Sequence, residues 1–279
     1  MATPIGNLAD ITLRALHLLG LADAVACEDT RVAGALLGHL GLARPLIALH
    51  QHNERAAAVK VIERLARGER VAYLSDAGTP AVSDPGALLV DAVRRAGHRC
   101  MPLPGASSVT TALSAAGDVH ARGFAFVGFA PTKAAERRTW LQALAPRHTE
   151  SLVLFEAPHR IEALLAALAA TLPERTLTIG RELTKQFEQV ETMAAADAPQ
   201  WLAADANRAR GEFVIVLHAR PAEPVLESAI DAAAERTLGL LLAALPLKQA
   251  VALAAEISGA PRNLLYARAL ERRDGPSGT

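Results

Sequence analysis

The stretch between Tyr73 and Gly86 constrains the fold of this chain more than any other part of the sequence. A short apolar run at 71–74 ends abruptly in small, hydroxyl-bearing and turn-forming residues, which read SDAGTPAVSDPG. Such a run, bounded by Gly and Pro, is typical of a buried parallel strand. We therefore expect a strand that ends in a ligand-binding loop, because open α/β sheets bind ligands at the carboxyl ends of their strands.

The loop itself offers groups that a bound small molecule needs. Asp76 supplies a carboxylate, and Gly78 leaves the backbone open to close approach. After the loop, Asp84 is a suitable helix N-cap, Pro85 a suitable first helical residue, and Gly97 a suitable helix end. A connection without a ligand is the alternative, but a connector rarely needs two Pro, two Gly and two Asp in so short a span.

The first half of the chain repeats the order of apolar run, polar loop and amphipathic helix. Strands are predicted at 24–27, 46–49, 71–74 and 99–103, and a helix capped by Asp10 precedes them. This order predicts a mostly parallel, doubly wound α/β sheet. Neither a G-x-G-x-x-G nor a G-x-x-x-x-G-K-[ST] motif follows these strands, so the usual dinucleotide and nucleoside-triphosphate fingerprints are missing.

The second half changes pattern, and its strand order predicts a mixed sheet. Two strands, at 177–183 and 188–193, follow each other directly, which favours an antiparallel pair. Further strands are predicted at 124–129, 151–155 and 211–218. We expect a second α/β domain here and then a small helix-turn-helix-like module, with divisions at 1–120, 121–221 and 222–279.

The last module could contact nucleic-acid phosphates. Its helix, Gly-containing turn and helix carry Lys248, Arg262, Asn263, Arg268, Arg272 and Arg273. Many small helical bundles share this outline. Because the formal net charge of the chain is zero, nucleic-acid binding has to come from such local basic patches.

Other features disfavour a membrane, secreted or metal-binding protein. No apolar run reaches membrane-spanning length, and the N-terminus has neither the basic region nor the apolar segment of a secretory signal. We therefore expect a soluble cytoplasmic protein. His50 and His52 follow a predicted strand without a third ligand nearby, so we expect no metal site.

Motifs along nearly the whole chain resemble one family. They read TPIGNL, EDTR, SDAGTPAVSDPG, PLPGASS, GFAPTK, FEAPHR, RELTKQFE, GEFVIV and PLKQAVALAAEISGAPRNLLYARALE. In this order they resemble the bacterial 16S ribosomal RNA (cytidine-2′-O)-methyltransferases of the tetrapyrrole-methylase superfamily. The resemblance implies a two-domain class III methyltransferase that forms a homodimer. It also implies S-adenosylmethionine between the domains and, as substrate, a decoding-centre cytidine of 16S rRNA in the small ribosomal subunit.

The resemblance further implies which residues contact the cofactor. They lie in the first loop, in the central loop and after the Pro-Gly turn, with a looser correspondence in the second domain. These residues are Pro4, Asp76, Ala77, Gly78, Thr79, Val82, Ser107, Ser108 and, more loosely, Glu156 and Leu183.

Methyl transfer to a ribose hydroxyl, a poor nucleophile, needs a group that accepts or relays its proton. Asp29, Asp76 and Glu156 are the candidate carboxylates, and Lys133 is a candidate for lowering the pKa of the hydroxyl. Basic side chains near the predicted strand ends are candidate RNA contacts, namely Arg31, Arg137, Arg160, Arg181 and Lys185. A structural ion pair with Glu156 is the alternative role for Arg160.

The first residues depart from the family pattern. Family members usually have an apolar strand immediately before the TPIGN motif, and here only Met1 and Ala2 precede Thr3. A sheet without that strand would leave backbone groups unpaired, at about 1–3 kcal/mol for each buried one. Two other functions stay open: a methylase of tetrapyrrole precursors, and a non-catalytic RNA-binding protein that keeps the fold.

Overall fold

The structure, a computed structural model, describes residues 1–50, 52–221 and 230–274. Contacts divide the chain into two compact units, residues 1–220 and residues 221–279. The strands are β1 (Ala24–Cys27), β2 (Leu46–Ala48), β3 (Val71–Leu74), β4 (Phe124–Phe129), β5 (Ser151–Glu156), β6 (Thr176–Arg181), β7 (Gln189–Ala194) and β8 (Phe213–Leu217). The helices are α1 (Leu13–Leu21), α2 (Thr30–His39), α3 (Glu54–Ala66), α4 (Ala87–Arg95), α5 (Ser108–Ala116), α6 (Ala134–Leu144), α7 (Ile161–Thr171), α8 (Ala198–Ala203), α9 (Ala232–Leu242), α10 (Leu247–Ser258) and α11 (Arg262–Asp274).

Three parallel strands in the order β2–β1–β3 form the N-terminal sheet. Every residue of β1 is buried, because helices pack on both faces. On one face Ala26 joins a cluster with Val61 of α3 and Leu89 of α4. On the other face Val25 joins a cluster with Leu37 of α2. The predicted parallel, doubly wound N-terminal sheet is confirmed.

The strand predicted at 99–103 is wrong, and the first two residues of the chain give the physical reason. The amino group of Met1 donates to the carbonyl of Tyr73 at 3.0 Å, and Ala2 N donates to the carbonyl of Leu103 at 3.4 Å. These two residues therefore bridge β3 and the 99–103 segment. One backbone hydrogen bond to β3 and one to the 99–103 segment are too few to make that segment a strand of the sheet.

The second sheet has the order β4–β5–β8–β6–β7. Strand β4 runs parallel to β5, and the other neighbouring strands are antiparallel. The predicted antiparallel pair is confirmed as β6 and β7, and the sheet is mixed as expected. Helices α6, α7 and α8 cover one face with buried side chains that include Leu141, Leu164, Leu165, Leu168 and Leu202.

Helix α5 covers the other face of the second sheet and brings the two sheets into one unit. Its Val109 and Ala112 share a buried cluster with Val153 of β5 and Val216 of β8. Ile5, from the segment before α1, packs against the same cluster. The two sheets thus share apolar contacts, and the three-part division of the chain remains a prediction.

The helix after the central stretch begins later than predicted. Helix α4 starts at Ala87, and its N-cap is Gly86, with φ of +128°, instead of Asp84. A side chain on Gly86 would place its Cβ 2.5 Å from the Tyr73 ring, so only glycine fits this turn. The capping charge comes from α3, since the buried Glu54 carboxylate accepts from Gly86 N at 2.9 Å and Leu89 N at 3.1 Å.

The first helix likewise has another cap than predicted. Thr12 Oγ1 accepts from Ala15 N at 3.1 Å, while Asp10 lies in a short 3-10 helix upstream. Thr12 directly precedes the first residue of α1 and so occupies the N-cap position, whereas Asp10 lies two residues further upstream in the 3-10 helix.

The second unit is a three-helix arrangement. Helices α9, α10 and α11 pack around Leu238, Val251 and Leu265. Helix α10 ends at Gly259, whose φ of +71° permits the tight turn into α11. This is the predicted helix-turn-helix outline.

Replacing Glu54 by Ala should destabilise the protein by about 2–4 kcal/mol, because two buried N–H groups at the start of α4 would lose their acceptor. Urea unfolding of the variant measures this loss. Glu63→Ala, on the exposed side of the same helix, should change stability by less than about 0.5 kcal/mol. Equal stabilities for the two variants would contradict the capping role.

Candidate active site

The carboxyl ends of β1 and β3 bring two predicted site residues together. Asp76, two residues after β3, accepts a hydrogen bond through Oδ1 from the backbone N of Asp29 at 3.0 Å. Asp29 in turn caps α2, since its Oδ1 accepts from Arg31 N at 2.8 Å. The parallel register of β1 and β3 places these loops side by side.

The first loop (residues 3–8) is fastened to the central loop (residues 75–86) by backbone. Thr3 and Gly78 exchange two hydrogen bonds, of 2.9 and 3.0 Å. Gly78 has a φ of +75°, and a Cβ there would lie 3.3 Å from Ile5 Cγ2. Thr79 Oγ1 donates to the carbonyl of Ala106 at 3.1 Å, which ties in the turn before α5.

A loop of the second sheet (residues 182–188) meets the first loop. Gly6 lies so near it that a Cβ would be 2.4 Å from Lys185 Cγ and 2.9 Å from Thr184 Oγ1. Glu182 and Thr184 both have left-handed backbone, with φ of +51° and +66°. Such strained non-glycine residues persist where surrounding contacts hold them, and they concentrate at binding sites.

Most of the predicted cofactor residues are gathered where these loops meet. The first, central and second-sheet loops contribute Pro4, residues 76–79, Val82 and Leu183, and Val82 and Leu183 belong to one apolar cluster. Ser107 and Ser108 stand at the start of α5, where the Ser107 side chain makes no capping bond. Their assignment as cofactor contacts stays a prediction.

Asp29 is held as a carboxylate by its neighbour. Hydrogen bonds from the Arg31 side chain and backbone lower the pKa of Asp29 to about 2. The Arg31 side chain is 89% exposed and lies 2.6 Å from Asp29 Oδ2. A carboxylate of such low pKa is a weak proton acceptor, which weighs against Asp29 as the catalytic base.

Sequence reasoning missed two carboxyl groups with raised pKa values. Burial, together with the charges of Glu28 and Asp76, raises the pKa of Asp84 to about 6. Burial and Asp76 also raise the pKa of Glu28. Both acids are visible in the sequence, but the sequence pattern predicts helix capping for Asp84, and the burial that raises the two pKa values is a property of the folded chain.

Glu156 and Arg160 form the ion pair that was the alternative role for Arg160. Arg160 Nε lies 3.1 Å from Glu156 Oε1, and its guanidinium also donates to the carbonyl of Ala130. Glu156 is buried, and its Oε2 has no hydrogen-bond partner among the residues described. The pair is thus a buried structural contact with one spare acceptor.

The other basic side chains predicted for the site are either buried or paired with carboxylates. Arg181 is buried and donates to three backbone carbonyls and to Gln189 Oε1, so it is not placed to reach RNA. Arg137 is also buried and bonded to backbone carbonyls. Lys185 bridges Glu182 and Glu212 at 2.8 and 2.9 Å, and the exposed Lys133 pairs with Glu136 at 2.9 Å.

The described ranges hold no group of three or more His, Cys, Asp and Glu side chains arranged to hold a metal ion. Across the same residues, no helix is both long and apolar enough to cross a membrane.

Comparison with known proteins gives matches to both units. The family model for Tetrapyrrole (Corrin/Porphyrin) Methylases matches residues 2–199, and that for the RsmI C-terminal HTH domain matches residues 228–273. The chain is 47% identical to a ribosomal RNA small subunit methyltransferase I from Pseudomonas aeruginosa, over 98% of this chain and 96% of the relative. It is 45% identical to the protein of the same name from Escherichia coli O157:H7, over 97% and 93%.

A similar solved structure is a uroporphyrin-III-C-methyltransferase from Thermus thermophilus. The two chains are 25% identical with a TM-score of 0.55, and the similarity covers 78% of this chain and 91% of the other.

Replacing Asp84 by Asn should stabilise the ligand-free protein above pH 6. The folded state raises this pKa from 3.8 to about 6, so the ionised carboxylate disfavours folding at high pH, and the effect disappears as the pH falls below about 4. The gain should stay below about 3 kcal/mol, because partial exposure screens the repulsion.

Thermal unfolding of the Asp84→Asn variant between pH 4 and pH 8 measures this profile. Asp23→Asn is the control of opposite sign. Hydrogen bonds from Arg70 lower the pKa of Asp23, so that variant should be less stable than wild type at pH 8 and equal to it in acid. An Asp84→Asn variant that is less stable at pH 8 would contradict the expected repulsion.

Proposed function

This chain belongs to the tetrapyrrole methylase family, and on that basis we propose that it transfers the methyl group of S-adenosylmethionine to the ribose 2′-oxygen of a cytidine in 16S rRNA. The observation that carries the proposal is the near full-length identity to ribosomal RNA small subunit methyltransferases, which spans both units. We further propose that it works in the cytoplasm, as a homodimer, on the small ribosomal subunit.

The residues where the three loops meet fit S-adenosylmethionine. Asp76 keeps one carboxylate oxygen beyond its bond to Asp29 N, which suits a ribose diol. Ile5, Val82 and Leu183 offer an apolar wall for the adenosyl group. When bound, the cofactor supplies an electrophilic methyl group on a sulfonium.

The protein's own residues would place the acceptor ribose and remove its proton. Asp84 has a pKa of about 6, closer to neutrality than that of Asp29, and is the better-matched proton acceptor of the two. Glu156 offers its spare Oε2, although it is buried beneath Arg160. By proton affinity alone, Asp84 therefore ranks above Asp29 as the general base.

The RNA contacts should come from exposed basic side chains. Lys248 and Arg262 are exposed in the second unit and have no ion pair among the described residues. Arg31 and Lys133 are exposed in the first unit but pair with Asp29 and Glu136, so an RNA phosphate would have to compete with these carboxylates. Arg268 is committed to Glu235 and Glu271, at 2.7 and 2.8 Å. Positioning by phosphate contacts carries no sequence information, so target selection has to come from elsewhere in the site.

Methyl transfer from labelled S-adenosylmethionine tests the proposal directly. Isolated small subunits, naked 16S rRNA and a tetrapyrrole precursor serve as separate acceptors, and mapping of the labelled nucleotide should locate a single 2′-O-methylated cytidine. Label that appears in a tetrapyrrole precursor and not in rRNA would overturn the proposed substrate.

Replacing Asp76 by Asn should weaken S-adenosylmethionine binding by about 10- to 100-fold. The amide oxygen can still accept from Asp29 N, so the loop keeps its shape while the charge is lost. Isothermal titration calorimetry measures the change, and Asp91→Asn, on the exposed side of α4, is the control. Equal affinities in the two variants would remove Asp76 from the cofactor site.

Replacing Lys248 or Arg262 by Ala should weaken binding to the small subunit and lower the salt dependence of that binding. Each lost phosphate contact reduces the slope of log K against log salt by about 1. Filter binding across a salt series measures the slope. An unchanged slope in both variants would mean that the helix-turn-helix unit does not contact phosphates.

A further inference from the structure

A pocket of about 350 Å³ opens beside the cofactor residues, on the side of helix α2. Its floor is formed by Ala33 and Leu74, and its sides are formed by the first loop, by α2 and by the residues after β3. None of its α2 residues was a candidate site residue in the sequence analysis. The proposed cofactor contacts therefore do not account for this part of the surface.

The walls of the pocket are of two chemical kinds. Pro4, Leu8 and Val32 present apolar surface, and Leu8 and Val32 are each 43% exposed although they are large and apolar. Ser75 and Asp76 also line the pocket, and of the two Asp76 keeps a carboxylate oxygen with no hydrogen bond from the residues that the structure describes, since the Ser75 hydroxyl donates to the carbonyl of Gly78. Two apolar flanks with hydrogen-bonding groups at one edge suit a flat heteroaromatic ring.

The volume of the pocket is sufficient for one nucleotide. Ligand pockets run from about 300 to 1,000 Å³, so this one is at the small end. A pyrimidine base together with part of its ribose fits this volume, whereas a tetrapyrrole macrocycle is too large.

The pocket adjoins the proposed cofactor site. Pro4 and Asp76 line it and are at the same time proposed cofactor contacts. A ribose whose 2′-oxygen reaches the methyl group must therefore have its base within one nucleoside's length of this wall. Arg31 lies next to Val32 at the start of α2, is almost fully exposed, and could meet the flanking phosphate.

We propose that this pocket binds the unstacked pyrimidine base of the nucleotide that is methylated. The inference rests on the proposed function and adds the element that selects the target. The base enters between the first loop and α2, and its amino edge faces the Asp76 carboxylate, whose remaining oxygen can accept from the cytosine amino group as well as from the cofactor ribose because it has two lone pairs. His39 lies at the rim, where an imidazole can stack on a base.

Filling the pocket tests this assignment. Ala35 is exposed on the pocket side of α2, so Ala35→Trp should occupy the space without disturbing the core. Gly38→Trp is the matched control, because a Cβ there meets no atom within 4 Å and the residue is outside the pocket on the same helix. Ala35→Leu serves as a smaller filling variant if the indole disturbs folding, which thermal unfolding reports.

Three measurements are made on the full-length variants. Calorimetry gives the affinity for S-adenosylmethionine, and turnover on small subunits gives the KM for RNA. Binding to a short RNA that contains the mapped target nucleotide, with and without its base, gives the contribution of that base. Ala35→Trp should raise the KM for RNA at least 10-fold, leave cofactor affinity within twofold, and bind the intact and the abasic RNA equally.

The results separate the possible failures. Wild-type protein that transfers no methyl group to rRNA would refute the proposed function, whatever the variants do. If wild type is active and Ala35→Trp behaves like Gly38→Trp, the base does not bind in this pocket. If Ala35→Trp loses cofactor affinity to the same extent as RNA affinity, the pocket belongs to the cofactor and the inference is overturned.

Discussion

The two hydrogen bonds between Thr3 and Gly78 are the contact on which the proposed site depends. They fix the first loop against the central loop, and thereby place Pro4 beside Asp76. Residue 78 forms both hydrogen bonds with Thr3 at a φ of +75°, a conformation that glycine adopts without strain, and this explains the glycine at 78. The proposed cofactor wall and the proposed base pocket both begin at this junction, so one backbone bridge would position both.

The carboxyl groups near this junction differ in pKa, because their surroundings carry different charges. Asp29 is paired with Arg31, whereas Asp84 and Glu28 form no salt bridge with a described residue, and the negative charge of Asp76 raises the pKa of both. Pairs of acids whose surroundings separate their pKa values are typical of acid–base chemistry. The same repulsion disfavours ionisation of Glu28 and Asp84 in the ligand-free protein, and a cationic sulfonium at the proposed cofactor site would reduce it.

The sequence predicted the local features well and the long-range ones poorly. The apolar run before Ser75 and the glycine and proline spacing after it identified β3 and its loop, because those signals are encoded by adjacent residues. The cap of α4 could not be found this way, since Glu54 comes from a helix more than thirty residues upstream. Arg181 looked like an RNA contact because sequence shows charge but not burial, and its partners are carbonyls of a distant turn.

The contact of Gly6 with Lys185 joins the first loop of the chain to a loop of the second sheet. Neither loop builds this part of the wall alone, because the sequence between them contains most of both sheets. The two loops therefore meet only after distant parts of the chain have folded. This part of the wall is incomplete until β6 has joined the second sheet. A cofactor bound at the proposed site, where these loops meet, would bind only the folded first unit and would therefore stabilise the packing of both its sheets.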